Sequence, residues 1–194
     1  MLNLWEPNEQ TISFIRGANS KMIAEVGVYE GHTSREIAKY LNGSGELHLF
    51  DFYDRVEEVR KKIEADGFKN VRAFGSTYKL LDSYNWHLAK LIQQHSAPIY
   101  DYIYLDGAHT FPIDALTFFL CDQLLKLGGY IDFDDYDWTL AKSPSMNPEK
   151  FPLTAKCYTQ EQIEAHQVEM VINLARHTGR YSEAVQNKIF RKEK

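Results

Sequence analysis

The sequence predicts an α/β fold built on a mostly parallel sheet. Strand-like and helix-like segments alternate along the 194 residues with short breaks between them, as in sheets whose parallel strands are joined by helices. Two strand-like segments are followed directly by acidic residues, the first by Asp106 and the second by Asp134 and Asp135. Hydrophobic residues make up 44% of the chain, enough for a substantial core, and we expect a single domain over residues 1–194.

Hydrophobic periodicity and glycine-rich breaks define the first half of the predicted sheet. The helix over 33–41 is expected to stop at the Asn42-Gly43-Ser44-Gly45 segment. The predicted elements are a strand over 22–28, that helix, a strand over 46–50, a helix over 54–65, a strand over 70–74 and a helix over about 80–94.

The second half is predicted to continue this alternation and then to change in character. Gly128-Gly129 is expected to end a helix that has Pro112 in its first turn. A long segment without periodicity, 137–158, is expected to be a substrate-binding or lid loop. The remaining predicted elements are strands over 101–105 and 130–133, a helix that starts at a capping box over 159–162 and ends before Gly179, and an edge strand over 185–191.

A glycine-containing turn joins the first predicted strand to the first helix. Gly27 and Gly31 allow backbone amides to approach a ligand closely, but the third glycine of the dinucleotide fingerprint is missing. Asp51 ends the second strand, where a carboxylate can hold the two hydroxyls of a ribose. Glu25 would obstruct a pyrophosphate and suits the cationic amino-acid end of a ligand. It therefore favours such a ligand over NAD, which the turn and Asp51 alone would also fit.

Acidic residues follow two strands that are expected to be neighbours in the sheet. Asp106, Asp134 and Asp135 would then meet at the carboxyl edge, where open α/β sheets bind ligands. Three carboxylates repel one another unless a positive charge lies among them, and their oxygens suit a hard divalent cation. The alternatives are that an acid caps the segment after its strand and that His109 bonds to backbone at a helix start. Asp132, inside the strand pattern, is expected to point away from Asp134 and Asp135.

These motifs resemble those of class I S-adenosylmethionine-dependent methyltransferases, in the variant found in small bacterial O-methyltransferases that act on macrolide and aminocoumarin sugars. The resemblance extends from about Met22 to Trp138. The matching segments are Glu25-Val26-Gly27-Val28-Tyr29-Glu30-Gly31 with Thr33-Ser34, then Asp51, Gly75-Ser76, Leu105-Asp106-Gly107-Ala108-His109, and Gly128-Gly129 followed by Asp134-Asp135-Tyr136.

The resemblance implies a three-layer Rossmann-like methyltransferase fold, with about seven strands and helices on both faces. It implies that S-adenosylmethionine binds across the ends of the first two strands and that Asp106, Asp134 and Asp135 hold Mg²⁺. We expect Asp106 and His109 to be catalytic, with His109 taking the proton of a hydroxyl that Mg²⁺ orients. The residues expected to contact the cofactor are Glu25, Gly27, Tyr29, Gly31, Ser34, Asp51, Gly75, Ser76 and Asp106.

The predicted function is therefore methyl transfer from S-adenosylmethionine to a hydroxyl group of a small, natural-product-like molecule, assisted by a divalent metal. Three alternatives stay open at this point. The first is a metal-independent methyltransferase that acts on nitrogen or oxygen. The second is an NAD-linked oxidoreductase on the same sheet, and the third is a non-catalytic cofactor-binding subunit.

Composition narrows the expected partners. A formal net charge of −5 gives no reason to expect nucleic acid, and no apolar run approaches the length of a membrane span. The amino end lacks the features of a signal peptide, and two cysteines do not make a disulfide scaffold. We expect a cytoplasmic protein whose partner is a small-molecule acceptor, with a homodimer left open.

Overall fold

The computed structural model of the protein describes residues 6–194, in which seven strands form one sheet. The strand order is β3-β2-β1-β4-β5-β7-β6, with β1 to β5 parallel and β7 antiparallel to both of its neighbours. The Rossmann-like α/β fold with about seven strands is thereby confirmed. The strands are β1 Met22–Val26, β2 Glu46–Phe52, β3 Val71–Ser76, β4 Tyr100–Leu105, β5 Leu125–Phe133, β6 Tyr181–Val185 and β7 Ile189–Lys192.

Helices cover both faces of the sheet and create two hydrophobic cores. One core contains buried residues of α1, α2 and α3, and the other contains buried residues of α4, α5 and α8. None of the helices in the described range has the length and apolar character needed to cross a membrane. The helices are α1 Glu9–Gly17, α2 His32–Leu41, α3 Tyr53–Ala65, α4 Tyr84–Gln94, α5 Phe111–Leu124, α6 Pro152–Cys157, α7 Gln160–Glu164 and α8 Gln167–His177.

Alternation along the central strands decides which side chains reach each core. Ile103 and Leu105 of β4 join the core beneath α4, α5 and α8, whereas Tyr102 and Tyr104 join the core beneath α1, α2 and α3. Successive side chains of a strand point to opposite faces, so the two tyrosines share one face. Their hydroxyls lie on the same side of the sheet as Asp132, which accepts a 2.6 Å hydrogen bond from Tyr102.

The junction between α5 and β5 differs from the prediction. Helix α5 ends at Leu124 and β5 begins at Leu125, so Gly128 and Gly129 lie inside the strand and do not stop the helix. Gly128 has a φ of 77°, and the register between β4 and β5 is irregular in this region. The glycines therefore serve an irregularity in the strand. Leu124, Leu125 and Leu127 suit a helix as well as a strand, so they do not mark where the helix ends.

Other differences lie towards the two ends of the chain. Helix α1 was not predicted, α4 begins at Tyr84 and not near residue 80, and the predicted loop over 137–158 contains a 3₁₀ turn at Leu140–Lys142 as well as α6. The capping box at Thr159 is confirmed, but it starts only the short helix α7, and α8 is separate. The single predicted edge strand is a hairpin, in which β7 pairs with β5 and β6 forms the edge.

Candidate functional site

The glycine turn between β1 and α2 lies directly against the end of β4. Gly27 has a φ of 88°, and a Cβ atom there would lie 1.8 Å from the carbonyl oxygen of Asp106. Gly31 has a φ of 80° at the N-cap of α2, and a Cβ atom there would lie 2.5 Å from Val59. Both positions need glycine for conformation and for space. The turn and the acidic end of β4 are therefore parts of one site.

Asp51, at the end of β2, holds this turn in place. Its Oδ2 accepts hydrogen bonds from the backbone amides of Val28 at 3.0 Å and Tyr29 at 3.4 Å. Its Oδ1 accepts one from the amide of Phe52 at 2.7 Å. Tyr29 has a φ of 45° and an exposed side chain, which places its ring at the surface of the turn. Asp51 thus orders the loop that the sequence predicts to bind the cofactor.

Glu25 is a buried carboxyl group beneath the turn. Only 2% of the residue is exposed, and its Oε2 has no hydrogen-bond partner. Burial raises the pKa of Glu25 to about 8, and the nearby charge of Asp51 raises it as well. Ser34, on α2, is also buried. A cationic group placed beside Glu25 would satisfy the free oxygen and restore an ordinary pKa.

Gly75 and Ser76 end β3 on the other side of Asp51. A Cβ atom on Gly75 would lie 2.5 Å from the Cα of Tyr53, and its carbonyl accepts a 3.0 Å bond from His87 Nε2. Ser76 is buried. A cleft of about 530 Å³ opens beside Gly75 and is lined by Trp86 as well as His87. The three predicted cofactor segments at β1, β2 and β3 therefore lie side by side along the carboxyl edge of the sheet.

Asp106, His109 and Asp135 form a cluster at the carboxyl edge of β4 and β5. His109 Nε2 lies 3.2 Å from Asp106 Oδ1 and 3.5 Å from Asp135 Oδ2, but its orientation makes no hydrogen bond. The ligand atoms of all three lie within 4.8 Å of one another, and no other trio of acidic, histidine or cysteine side chains in residues 6–194 does so. His109 and Asp135 both have left-handed φ angles, 56° and 57°. Such angles in residues other than glycine are sparsely populated and concentrate at functional sites.

Burial is the main cause of the shifted pKa values in the cluster. Burial, followed by the charges of Asp134, Asp135 and Glu25, raises the pKa of Asp106 well above its usual range. Burial and Asp134 raise the pKa of Asp135 to about 6. Burial lowers the pKa of His109, so that its imidazole is neutral at pH 7. Two carboxyl groups with raised pKa values and a neutral nitrogen donor therefore face one another.

Asp134, the third predicted metal ligand, already has partners. Its Oδ1 accepts hydrogen bonds from Asn8 Nδ2 at 3.1 Å and from Lys188 Nζ at 3.2 Å. Lys188 Nζ also lies 2.9 Å from Oδ1 of Asp132, which is fully buried. Asp132 therefore shares a cation with Asp134, whereas the sequence predicts that it points away. The structure brings together two of the three predicted ligands and adds His109.

Sequence reasoning missed three residues of the site, which are Asn8, Tyr104 and Lys188. Asn8, the N-cap of α1, donates hydrogen bonds to Tyr104 at 3.1 Å and to Asp134, and Tyr104 donates one to Asp106 at 3.2 Å. The Asn8 side chain accepts from the amide of Thr11, and an Asn before a helical pattern is a signal that could have found it. No comparable local signal marks Lys188.

The segment after β5 packs against the cluster. The Trp138 ring lies 5.3 Å from the His109 ring at an interplanar angle of 34°. On its other side, His109 borders a cavity of about 10 Å³ that it shares with Asp114 and Val168. The start of the predicted lid loop therefore reaches the cluster, and its role as a lid stays a prediction.

Comparison with known proteins adds a family to this geometry. The family described as "Methyltransferase domain" matches residues 24–136, more than half of the chain. The matched span begins in β1 and ends just after Asp135, so it contains the glycine turn, Asp51 and the Asp106, His109 and Asp135 cluster. A search of curated proteins finds no match.

Several solved structures share the fold at low identity. The O-methyltransferase TomG from Streptomyces achromogenes, solved with S-adenosylmethionine, is 16% identical over 95% of this chain and 78% of its own, with a TM-score of 0.62. The Podospora anserina methyltransferase PaMTH1, solved with S-adenosylhomocysteine, is 16% identical over 95% and 77%, with a TM-score of 0.63. A Bacillus cereus O-methyltransferase, also solved with S-adenosylhomocysteine, is 14% identical over 100% and 84%, with a TM-score of 0.63.

Proposed function

Because the chain belongs to the methyltransferase-domain family, we propose that it transfers a methyl group from S-adenosylmethionine to a hydroxyl group of a small molecule. The resemblance seen in the motifs, to class I methyltransferases, is confirmed by the family match and by the shared fold. The acceptor, the divalent metal and the roles of individual residues are part of the proposal.

The observation that carries this proposal is the contact between the glycine turn and the cluster. Gly27 packs on the backbone of Asp106, so a ligand in the turn would border the cluster. Methyl transfer needs this arrangement, because the donor and the acceptor must meet in line at short distance. A nicotinamide cofactor would extend a pyrophosphate past Glu25, whose buried carboxyl is suited to a cation instead.

The chain supplies a binding group for each part of the donor. Glu25 would accept the cationic amino-acid end, which satisfies its unpartnered oxygen. Asp51 would bind the ribose hydroxyls from the same carboxylate that holds the turn, and Gly75 and Ser76 would border the adenine. Gly27 and Gly31, with Tyr29 and Ser34, shape the turn around the donor. Binding groups already in place lower the entropic cost of bringing the reactants together.

The donor set fits a divalent cation. Carboxylate oxygens and a neutral imidazole nitrogen that face one another without a cation are suitable ligands, and Asp106, His109 and Asp135 would hold the ion. The family resemblance implies Mg²⁺ held by Asp106, Asp134 and Asp135, a set made of oxygen alone. When bound, such an ion would lower the pKa of a hydroxyl group and orient its oxygen.

The sequence predicts that His109 accepts the hydroxyl proton. Its lowered pKa leaves the ring neutral at pH 7, as a general base requires. Its Nε2, however, faces Asp106 and Asp135, and one nitrogen cannot take a proton and bind an ion at the same time. The base role therefore stays a prediction that depends on which residues hold the ion.

Calorimetry with S-adenosylhomocysteine and NADH tests the donor. We expect S-adenosylhomocysteine to bind and NADH not to bind. Glu25→Gln should weaken the first by about tenfold or more, because a charge-assisted hydrogen bond is worth about 1.5–3 kcal/mol. Glu58→Gln is the matched control, since Glu58 lies on the surface beside Lys62 with 68% of its side chain exposed. Preference for NADH would end the methyltransferase proposal.

Turnover with labelled S-adenosylmethionine tests the reaction. A panel of catechols, sugars and amines as acceptors should show label transfer to hydroxyl-bearing compounds. Transfer only to amines would support the nitrogen-directed alternative. Binding of S-adenosylhomocysteine with no transfer to any acceptor would support a non-catalytic cofactor-binding subunit.

A further inference from the structure

The carboxyl edge of β4 and β5, called the acid edge below, carries two pairs of carboxylates: Asp132 with Asp134, and Asp106 with Asp135. Asp134 and the buried Asp132 share the ammonium group of Lys188, at 3.2 and 2.9 Å. Only 14% of the Lys188 side chain is exposed, so this pair is little screened by solvent. Among residues 6–194, no lysine or arginine lies within ion-pair distance of Asp106 or Asp135, whose nearest nitrogen partner is His109 Nε2.

Lys188 keeps a metal ion away from Asp134. An ion on Asp134 Oδ1 would lie beside the ammonium group, and two positive charges at that distance repel strongly in a buried site. Moving Lys188 aside would leave Asp132 buried without its cation, which is also costly. Lys188 lies immediately before β7, which pairs with β5 at residues 130–132, so the sheet itself fixes its backbone.

Once Asp134 is excluded, the remaining metal-binding atoms are the carboxylate oxygens of Asp106 and Asp135 and a nitrogen of His109. His109 Nε2 is buried, has no hydrogen-bond partner and faces both carboxylates. Mg²⁺ is bound almost entirely by oxygen, whereas the affinity of a mixed nitrogen and oxygen site for first-row transition ions rises from Mn²⁺ to Co²⁺ and beyond. A first-row transition ion therefore gains more from the His109 nitrogen than Mg²⁺ does.

We propose that the acid edge is a site for a first-row transition-metal ion such as Mn²⁺ or Co²⁺, bound by Asp106, His109 and Asp135. Lys188 keeps Asp134 out of the ligand set, and the nitrogen ligand from His109 makes the site favour these ions over Mg²⁺. The ion would serve the methyl transfer proposed above. The role of the ion rests on that proposed function, whereas the metal site itself does not. It competes with the base role of His109 for the same Nε2 atom.

The test measures metal binding directly on the full-length protein, freed of metal by chelation. Calorimetric titration with Mn²⁺, Co²⁺ and Mg²⁺ should give affinities for Mn²⁺ and Co²⁺ at least about tenfold above that for Mg²⁺, in line with the cost of losing one metal-site interaction. His109→Asn should remove most of that preference. Pulsed electron paramagnetic resonance of the Mn²⁺-loaded protein should show a directly coordinated nitrogen that His109→Asn abolishes.

Asp134→Asn separates the two possible ligand sets. We expect it to leave Mn²⁺ affinity close to the wild-type value, whereas Asp106→Asn should abolish binding. His95→Asn and Asp137→Asn are matched controls, because both residues are exposed and lie outside the cluster. Thermal melting of each variant confirms that it is folded.

Three results would overturn the inference: no binding of any of the three ions, a coordination sphere without nitrogen, or an Asp134→Asn variant that loses Mn²⁺ as completely as Asp106→Asn. Titration of S-adenosylhomocysteine into the same samples keeps the two proposals apart. Normal cofactor binding with any of those results rejects the metal assignment alone. Nitrogen-bound Mn²⁺ without cofactor binding would reject the methyltransferase proposal and leave the metal site standing.

Discussion

Replacing Lys188 by Met is expected to lower the free energy of unfolding by about 3 kcal/mol. Removing one partner of a buried ion pair typically costs about 3–5 kcal/mol, because an uncompensated charge is left behind. The lower value applies here because Asp132 would keep its bonds from Thr11 at 2.7 Å and Tyr102 at 2.6 Å. For a chain of this length, about 3 kcal/mol corresponds to a fall in melting temperature of about 6–12 °C.

The assay is denaturant unfolding of a double-mutant cycle. The cycle compares Lys188→Met, Asp132→Asn and the double variant, and the pair is expected to show a coupling energy of about 2 kcal/mol, within the usual range for contacting residues. Lys62→Met is the matched control. Its partner is the exposed Glu58 at 2.7 Å, and surface pairs contribute only about 0–1 kcal/mol.

The reasoning is refuted if Lys188→Met costs no more than Lys62→Met. That result would mean that the Lys188 ammonium is solvated and does not neutralise Asp132. It would also remove the physical reason for excluding a metal ion from Asp134, because a mobile lysine could move aside.

Three further predictions concern the turn and its supports. Gly31→Ala should destabilise the fold by more than about 1 kcal/mol and weaken S-adenosylhomocysteine binding, whereas Gly43→Ala, with a φ of 76° and free space around it, should show the backbone strain alone. Because the pKa of Glu25 rises from 4.5 unfolded to about 8 folded, its contribution to the free energy of unfolding should fall as pH rises between those values, and Glu25→Gln should remove that slope in pH-dependent melting. Asn8→Ala should cost about 1–2 kcal/mol in chemical unfolding, because it removes the N-cap of α1 and the bond to Asp134.

The sequence was sufficient for the parallel half of the sheet and for the segments along its edge. β1 and β4 are short, mostly apolar runs with Gly27 and Gly107 just after them, so hydrophobic periodicity and glycine positions locate the ends of these two strands. Once β4 and β5 are taken as neighbours, Asp106 and Asp135 must approach each other. The glycine turn needs only local information, because its conformation depends on Gly27 and Gly31.

The parts that were missed depend on contacts between distant residues. Lys188 meets Asp134 across 54 positions of sequence, and Asn8 meets it across 126. Lys188 reaches Asp134 only because β7 enters the sheet between β5 and β6, an order that no local period encodes. The α5–β5 junction was predicted wrongly for a different reason, since Leu124, Leu125 and Leu127 suit a helix and a buried strand equally well.

The position of Lys188 changes what the acid edge can be used for. Three equivalent carboxylates would bind any hard cation, because the cation would relieve the repulsion among them. Asp134 instead shares the Lys188 ammonium group with Asp132, and within residues 6–194 no lysine or arginine forms an ion pair with Asp106 or Asp135 beside His109. Asp106 also touches the glycine turn through Gly27. A positive charge bound at the cluster and a cationic donor bound in the turn would therefore be compensated by the same carboxylate, which links the two halves of the site through one residue.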